Sequence, residues 1–371
     1  MMQIRYLEQK DKTATRALYE SAFPSDGKGF VDYYYQEKIR DNRILVLKEE
    51  GHIRSMLHLN PYAVSVRGRC YPSEYIVAVA TDAAYRHRGY MRKLLERTLA
   101  DMNREEKPFV YLMPAAEAIY LPFGFRTVSS QVSCEPVMTG DSGLSAREAT
   151  EQDVSRLAAF DEKYLLPGYD IVTARDAAYY QRLLAEQRSE GGCIRIFEQD
   201  GKISGHVICD RTEEEAVGEI GEAGREKVEI IREEGQADRN CKETYRDPVF
   251  LPGGGGIMRT AAKEKPPLIM IRITCLERMV EQITSSEPVE LILEVEDPIV
   301  ADQAGIFRWS LNSGGSSVQA CSERPEWKVT IEELGEFLFG VKKAKVWESE
   351  PVFCKLRAIQ PFRSIYIQEI V

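Results

Sequence analysis

The run Glu74–Ala80, EYIVAVA, constrains this chain more than any other stretch. It is apolar almost throughout, so it reads as a strand buried on both faces. A polar turn follows, TDAAYRHRG (81–89), and then YMRKLLERTLADM (90–102), whose Met91, Leu94, Leu95, Leu99 and Met102 share one helical face. Pro108–Met113 is a second apolar run that fits a strand. Strand, helix and parallel strand in that order predict an α/β core.

The turn gathers Arg86, His87 and Arg88 ahead of Gly89, in a chain of 371 residues with a formal net charge of −10. A helix N-terminus already presents unpaired N–H groups and the positive end of the helix dipole. Nearby arginines strengthen it as an anion site, and a glycine lets the backbone come close to a ligand. The arrangement suits a pyrophosphate held by main-chain donors at the end of a buried strand. The plainer alternative is a solvated basic turn that caps a helix.

The acidic balance disfavours nucleic acid as a partner and is compatible with a cationic small molecule. No apolar run reaches the length of a membrane span, and MMQIRYLEQKDK at the start has no apolar signal core. The eight cysteines are scattered, without a CxxC pair or a Cys/His cluster at zinc spacing. No metal is therefore expected, and reduced thiols in a cytoplasmic protein are the plain reading.

Other segments organise the chain. Asp11–Phe23 reads as helix, and Arg43–Lys48 and Ile53–Leu59 as strands joined by a turn at Glu49–His52. EEGHIRSMLHL (49–59) has an echo in EQDGKISGHVI (198–208), which suggests a second, degenerate copy of the first fold. Residues 213–235 are dominated by glutamate and read as a solvated surface segment. Pro252–Gly256 is a breaker. Beyond it, strands at Leu268–Ile273, Glu290–Glu296 and Gly305–Ser310, a helix at Cys275–Ile283 and a helix capped by Thr330 predict a separate α+β domain. The expected division is 1–135, 136–262 and 263–371.

Two motifs carry a family resemblance. VAVATDAAYRHRGYMRKLL (77–95) resembles the acetyl-CoA pyrophosphate motif of the GNAT acetyltransferase superfamily, with Arg86 and Gly89 at its defining positions and Met91 where a small residue is usual. IYLPFGF (119–125) is similar to the later Tyr-x-x-x-Gly-Phe segment of that superfamily. DQAGIFRWSLNSGG and VTIEELGEFLFG, nearer the end, resemble a sterol-carrier-protein domain. A complete acetyltransferase domain, a degenerate second copy and such a C-terminal domain together resemble the Eis (enhanced intracellular survival) family. The fold class implied is mixed α/β and α+β, with tandem GNAT-type domains followed by a sterol-carrier-like domain.

That resemblance implies an N-acetyltransferase with acetyl-CoA as cosubstrate. Val79, Ala80 and Thr81 would line the pantetheine and thioester. His87, Arg88, Gly89, Tyr90, Met91 and Arg92, with Arg86, would wrap the pyrophosphate. Ala115 and Ala116 fall at cofactor-contact positions. Tyr120 matches the general acid, and the α-carboxylate of Val371 matches the general base, with Glu369 as its rival. Family members acetylate aminoglycosides and lysine-like or polyamine amines, so a small cationic amine is the expected acceptor, with Phe23, Phe30 and Tyr34 near its site. Homo-oligomeric assembly is also common in the family. Two other readings stay open: an apolar-ligand or lipid-binding module, and an acetyl-CoA sensor without turnover.

Overall fold

The computed structural model describes residues 2–130, 135–136, 145–213, 241–250, 258–259 and 267–369. Residues 214–235 of the acidic segment, the Pro252–Gly256 run and Val371 lie outside the described residues.

The first unit comprises β1 (Met2–Tyr6), α1 (Arg16–Ala22), α2 (Lys28–Gln36), β2 (Arg43–Glu49), β3 (His52–Val66), β4 (Arg69–Thr81), α3 (Tyr90–Arg104), β5 (Phe109–Leu112), α4 (Glu117–Tyr120) and β6 (Arg126–Ser130). Strands β1 to β4 pair as antiparallel neighbours. β4 and β5 are parallel, with Glu74 opposite Val110 and Ile76 opposite Leu112, so the strand–helix–strand crossover is present. The apolar stripe of α3, Leu94, Leu95, Leu99 and Met102, packs on Leu45, Leu47, Leu57 and Leu59 of the sheet. Tyr19, Phe30 and Tyr34 of α1 and α2 pack with Ile44, Val46 and Met56 in a separate cluster. The sheet thus has a helical layer on each face. The predicted helix over 11–23 begins as a 3-10 segment, Gln9–Thr15, before α1.

The second unit has β7 (Glu135–Pro136), β8 (Ser145–Glu148), α5 (Val154–Tyr164), β9 (Ile171–Thr173), α6 (Ala177–Ser189), β10 (Cys193–Gln199), β11 (Lys202–Glu213), β12 (Cys241–Phe250) and β13 (Met258–Arg259). β7 pairs with β13. β8, β10, β11 and β12 form an antiparallel sheet. The sequence echo is a structural one. The β2–β3 turn has Glu50 at φ 53° and Gly51 at φ 84°, and the β10–β11 turn has Asp200 at φ 51° and Gly201 at φ 74°. Positive φ at both central residues is the two-residue hairpin turn that matches strand twist. Each hairpin also breaks register at one place, between Leu47 and Lys48 and between Phe197 and Glu198. Two helices precede the hairpin in both units. Among the described residues the second sheet has no counterpart of the β4–α3–β5 crossover.

The third unit has β14 (Pro267–Ile273), α7 (Leu276–Val280), β15 (Thr284–Ser285), β16 (Val289–Glu296), β17 (Gly305–Asn312), β18 (Gly315–Ala320), β19 (Trp327–Thr330), α8 (Ile331–Leu338), α9 (Phe353–Ala358), β20 (Ile359–Gln360) and β21 (Ile365–Tyr366). Strands β16 to β19 form a four-stranded sheet, and β15 pairs with β20. Thr330 caps α8, with Glu333 N–H donating to its hydroxyl at 3.3 Å and Thr330 N–H donating to Glu333 Oε2 at 3.2 Å. Trp327, Phe337 and Trp347 pack edge to face, with centroids 5.4–5.7 Å apart.

Two strands cross these divisions. β14, which the sequence places at the start of the third domain, runs between β5 and β6 of the first sheet. Its LIMIRI run is apolar enough for an interior position. β21 pairs with β9, and β9 pairs with β3. Arg67, in the β3–β4 turn, ties the three units together. Its guanidinium pairs with Asp170 at 3.1 Å, donates to the carbonyls of Gln282 (2.8 Å) and Gln360 (3.0 Å), and lies over the Phe362 ring at 4.9 Å.

Candidate active site

The β4–β5 ladder ends at Ile76 and Leu112, but β4 continues to Thr81. On its other edge β4 stays paired with β3, through Met56 opposite Ala80 and Ser55 opposite Thr81. The β3–β4 register shifts between Met56 and His58, so β4 carries one extra residue there. Ala78 takes φ 52°, unusual for a residue with a side chain. This is a bulge, and a bulge bends and twists its strand. It falls where β5 stops, so the end of β4 diverges from the segment that follows β5. Val79 and Thr81 are half-buried and Ala80 is buried on one side of this opening, while Ala115 and Ala116 are exposed just after β5.

The basic turn follows directly. Asp82 accepts the Ala84 N–H at 3.0 Å, and Arg86 Nε lies 3.4 Å from the Thr81 carbonyl. His87 has φ 62°, and Gly89, the N-cap of α3, has φ 75°. A side chain at Gly89 would be strained by that φ although it would meet nothing within 4 Å. Arg86, His87, Arg88, Gly89 and Arg92 are exposed, whereas Tyr90 and Met91 turn toward the core. Tyr90 donates to Glu49 at 2.9 Å. Arg88 lies over the Tyr85 ring at 4.6 Å and Arg92 over the Phe123 ring at 4.9 Å. The first N–H groups of α3 therefore sit in a rim of guanidinium groups.

Tyr120, the last residue of α4, is 7% exposed. It belongs to the cluster that holds Tyr90, Leu94, Phe123 and Phe125, with Val79 and Met91 packed against it. The structure thus brings the strand end, the helix start and Tyr120 together. No hydrogen bond to its hydroxyl occurs among the described residues. Burial pushes its pKa up to about 12.

The tail reaches the molecule from elsewhere. Glu369 is buried, accepts from Thr173 Oγ1 at 2.7 Å and Tyr179 OH at 3.2 Å, and lies 3.6 Å from Arg175. It lines a cleft with Lys38, Tyr62, Tyr179, Glu186 and Gln368. Lys38 stands 3.4 Å from Glu186. Each cleft carboxylate therefore has a cation beside it. No local pattern marks Lys38, Tyr62 or Glu186, because they meet only when the turn after α2, the strand β3 and the helix α6 pack together.

The predicted acceptor residues lie in the α1–α2 layer. Phe23 is half-buried against Tyr19, at 4.9 Å between centroids, and Phe30 is buried. Tyr34 is fully buried, its hydroxyl 3.1 Å from His58 Nδ1 and 3.3 Å from Asn60 Oδ1. Its ring and that of Phe30 belong to one buried cluster. His58, with burial as the main cause, has its pKa lowered from 6.5 to about 3. The folded state thus disfavours the proton that the unfolded chain binds below pH 6.5. Stability from this site is complete above that value and is lost as pH falls toward 3. The unfolding midpoint should therefore drop less steeply between pH 6.5 and 4 in His58→Asn than in the parent, in thermal melts across that range. Parallel slopes would contradict this.

Among the described residues no group of three or more His, Cys, Asp or Glu side chains could hold a metal ion, and no helix is long and apolar enough to cross a membrane.

Known proteins resemble this chain in sequence and in fold. Residues 3–128 match a family described as an acetyltransferase (GNAT) domain, and residues 276–347 match a sterol carrier protein domain. An uncharacterized N-acetyltransferase of Streptomyces avermitilis is 22% identical over 301 residues, covering 74% of this chain and 73% of that protein. Among solved structures, a probable N-acyltransferase from Enterococcus faecalis has a TM-score of 0.74 at 15% identity, covering 99% of this chain and 100% of the other. Eis1 from Mycobacterium abscessus has a TM-score of 0.69 at 14% identity, covering 99% of each chain.

Proposed function

From a chain that is a GNAT acetyltransferase on the Eis-like plan, with a sterol-carrier-like domain after its acetyltransferase units, we propose transfer of acetyl from acetyl-CoA to the primary amine of a small cationic molecule. The bulge at Ala78 carries this reading. It opens the end of β4 beside an arginine-rimmed helix start, with Tyr120 in the same cluster.

Acetyl-CoA fits this opening as a substrate. Its pantetheine runs along Val79, Ala80 and Thr81 and past Ala115 and Ala116. Its pyrophosphate meets the N–H groups of Gly89, Tyr90, Met91 and Arg92, with Arg86, His87 and Arg88 around it. The acceptor nitrogen attacks the thioester carbonyl carbon, and the C=O electron pair moves onto oxygen. Collapse of that intermediate breaks the C–S bond. The departing sulfur takes the Tyr120 proton, which a phenol with a raised pKa keeps at neutral pH. The amine proton passes to the α-carboxylate of Val371, the base this reading favours, with Glu369 as the rival. Phe23, Phe30 and Tyr34 remain candidate acceptor contacts.

The test is release of CoA thiol from acetyl-CoA by untagged protein with a panel of cationic amines. Amine-dependent release supports the reading, and the ranking of amines describes the acceptor site. Release no faster than background hydrolysis with every amine would favour a sensor or an apolar-ligand module.

A further inference from the structure

We infer that Arg272 is a positioning residue for Tyr120, and that the third unit thereby sets the aim of the acid. The inference rests on Tyr120 as the acid. Arg272 is the single charge within the LIMIRI run of β14, and it is 1% exposed. Its Nε donates to the Phe123 carbonyl at 2.9 Å, inside the loop that joins Tyr120 to Phe125. Its Nη2 donates to Asp297 at 2.6 Å, and its Nη1 donates to the Ile273 carbonyl.

Asp297 is fixed in turn. It accepts the N–H groups of Ile299 and Val300, each at 3.0 Å, and the side-chain amide of Gln303 at 2.7 Å. The Gln303 carbonyl oxygen accepts the Leu276 N–H at 3.1 Å. One fork therefore links the acid loop to the end of β16 and the start of α7.

The loop is fitted closely to this fork. Gly124 takes φ 79°, and a Cβ there would lie 2.7 Å from Arg272 Nε. From the other side Arg92 covers the Phe123 ring. Phe123 is thus gripped at its carbonyl by β14 and at its ring by the first turn of α3. Tyr120, three residues earlier, packs on Phe125 with centroids 5.9 Å apart. A buried ion pair is a poor source of net stability, but a planar guanidinium fixes direction in a way that an ammonium does not.

The experiment is a double-mutant cycle between Arg272→Lys and Tyr120→Phe in the full chain. Lysine keeps the charge beside Asp297 and loses the fork to Phe123. Arg272→Lys should lower kcat about tenfold or more with KM for acetyl-CoA nearly unchanged, because small displacements of a catalytic group are costly. In the Tyr120→Phe background the same change should cost nothing further, since there is no acid left to misplace. Gly124→Ala, which presses on the same fork from the loop side while keeping both Arg272 and Asp297, should repeat the pattern and covers the case in which Arg272→Lys fails to fold. Equal losses in both backgrounds, or no loss in the Tyr120 background, would overturn the inference. If Tyr120→Phe alone turns over normally, the acid assignment itself fails, and the positioning role with it.

Discussion

Tyr120→Phe should lower kcat by about two to four orders of magnitude, the range general acids supply, while acetyl-CoA binding stays close to that of the parent. The ring remains, so its packing against Phe125 and the α3 cluster remains. Only the hydroxyl is lost. That hydroxyl has no hydrogen-bond partner among the described residues, so its removal strands no other group. The rate therefore reads chemistry rather than damage. Burial also makes a pH prediction. With its pKa raised to about 12, Tyr120 keeps its proton well past the ordinary phenol value of 10.0. An acid acts only while protonated, so the alkaline limb of kcat assigned to this group should lie near 12, with no fall centred near 10. A retained rate in the Phe variant would remove Tyr120 from the mechanism.

Extending the chain beyond Val371 should lower kcat about a hundredfold, within the range of a lost general base, and leave the melting temperature unchanged. The tail is anchored before the proposed base. Ile365 and Tyr366 pair with β9, Ile367 is fully buried, and Glu369 is held by Thr173 and Tyr179. Added residues convert the α-carboxylate to an amide without touching those anchors. Glu369→Gln separates the rivals. If that variant loses the rate and the extended chain keeps it, Glu369 takes the role of base.

Much of the strand, turn and helix that frame the candidate site was legible in the sequence because its signals are local. EYIVAVA, the turn after it and the stripe of α3 lie within thirty residues of one another in the chain. The paired hairpins were legible for the same reason, as was the Thr330 cap. The bulge at Ala78 was not, because an extra residue in VAVA exists only relative to the strand it pairs with. The contact of Tyr34 with His58 was not legible either, because a helical tyrosine run does not reveal which ring meets which partner. β14 reads as an interior strand, but apolarity does not name its sheet. Arg272 was visible as a lone charge in an apolar run, and its partner Asp297 only through folding. The Lys38–Glu186 cleft arises where the turn after α2 meets β3 and α6, segments far apart in sequence.

The place of β14 has a consequence for how this protein is made. When Ser130 leaves the ribosome, β5 and β6 have been synthesised, but the strand that separates them has not. Until Pro267–Ile273 emerges, both edges present unpaired backbone groups, which invite pairing with other chains. The acetyltransferase unit is thus completed late in translation, and a fragment cut at residue 135 lacks the strand that joins β6 to the rest of its sheet.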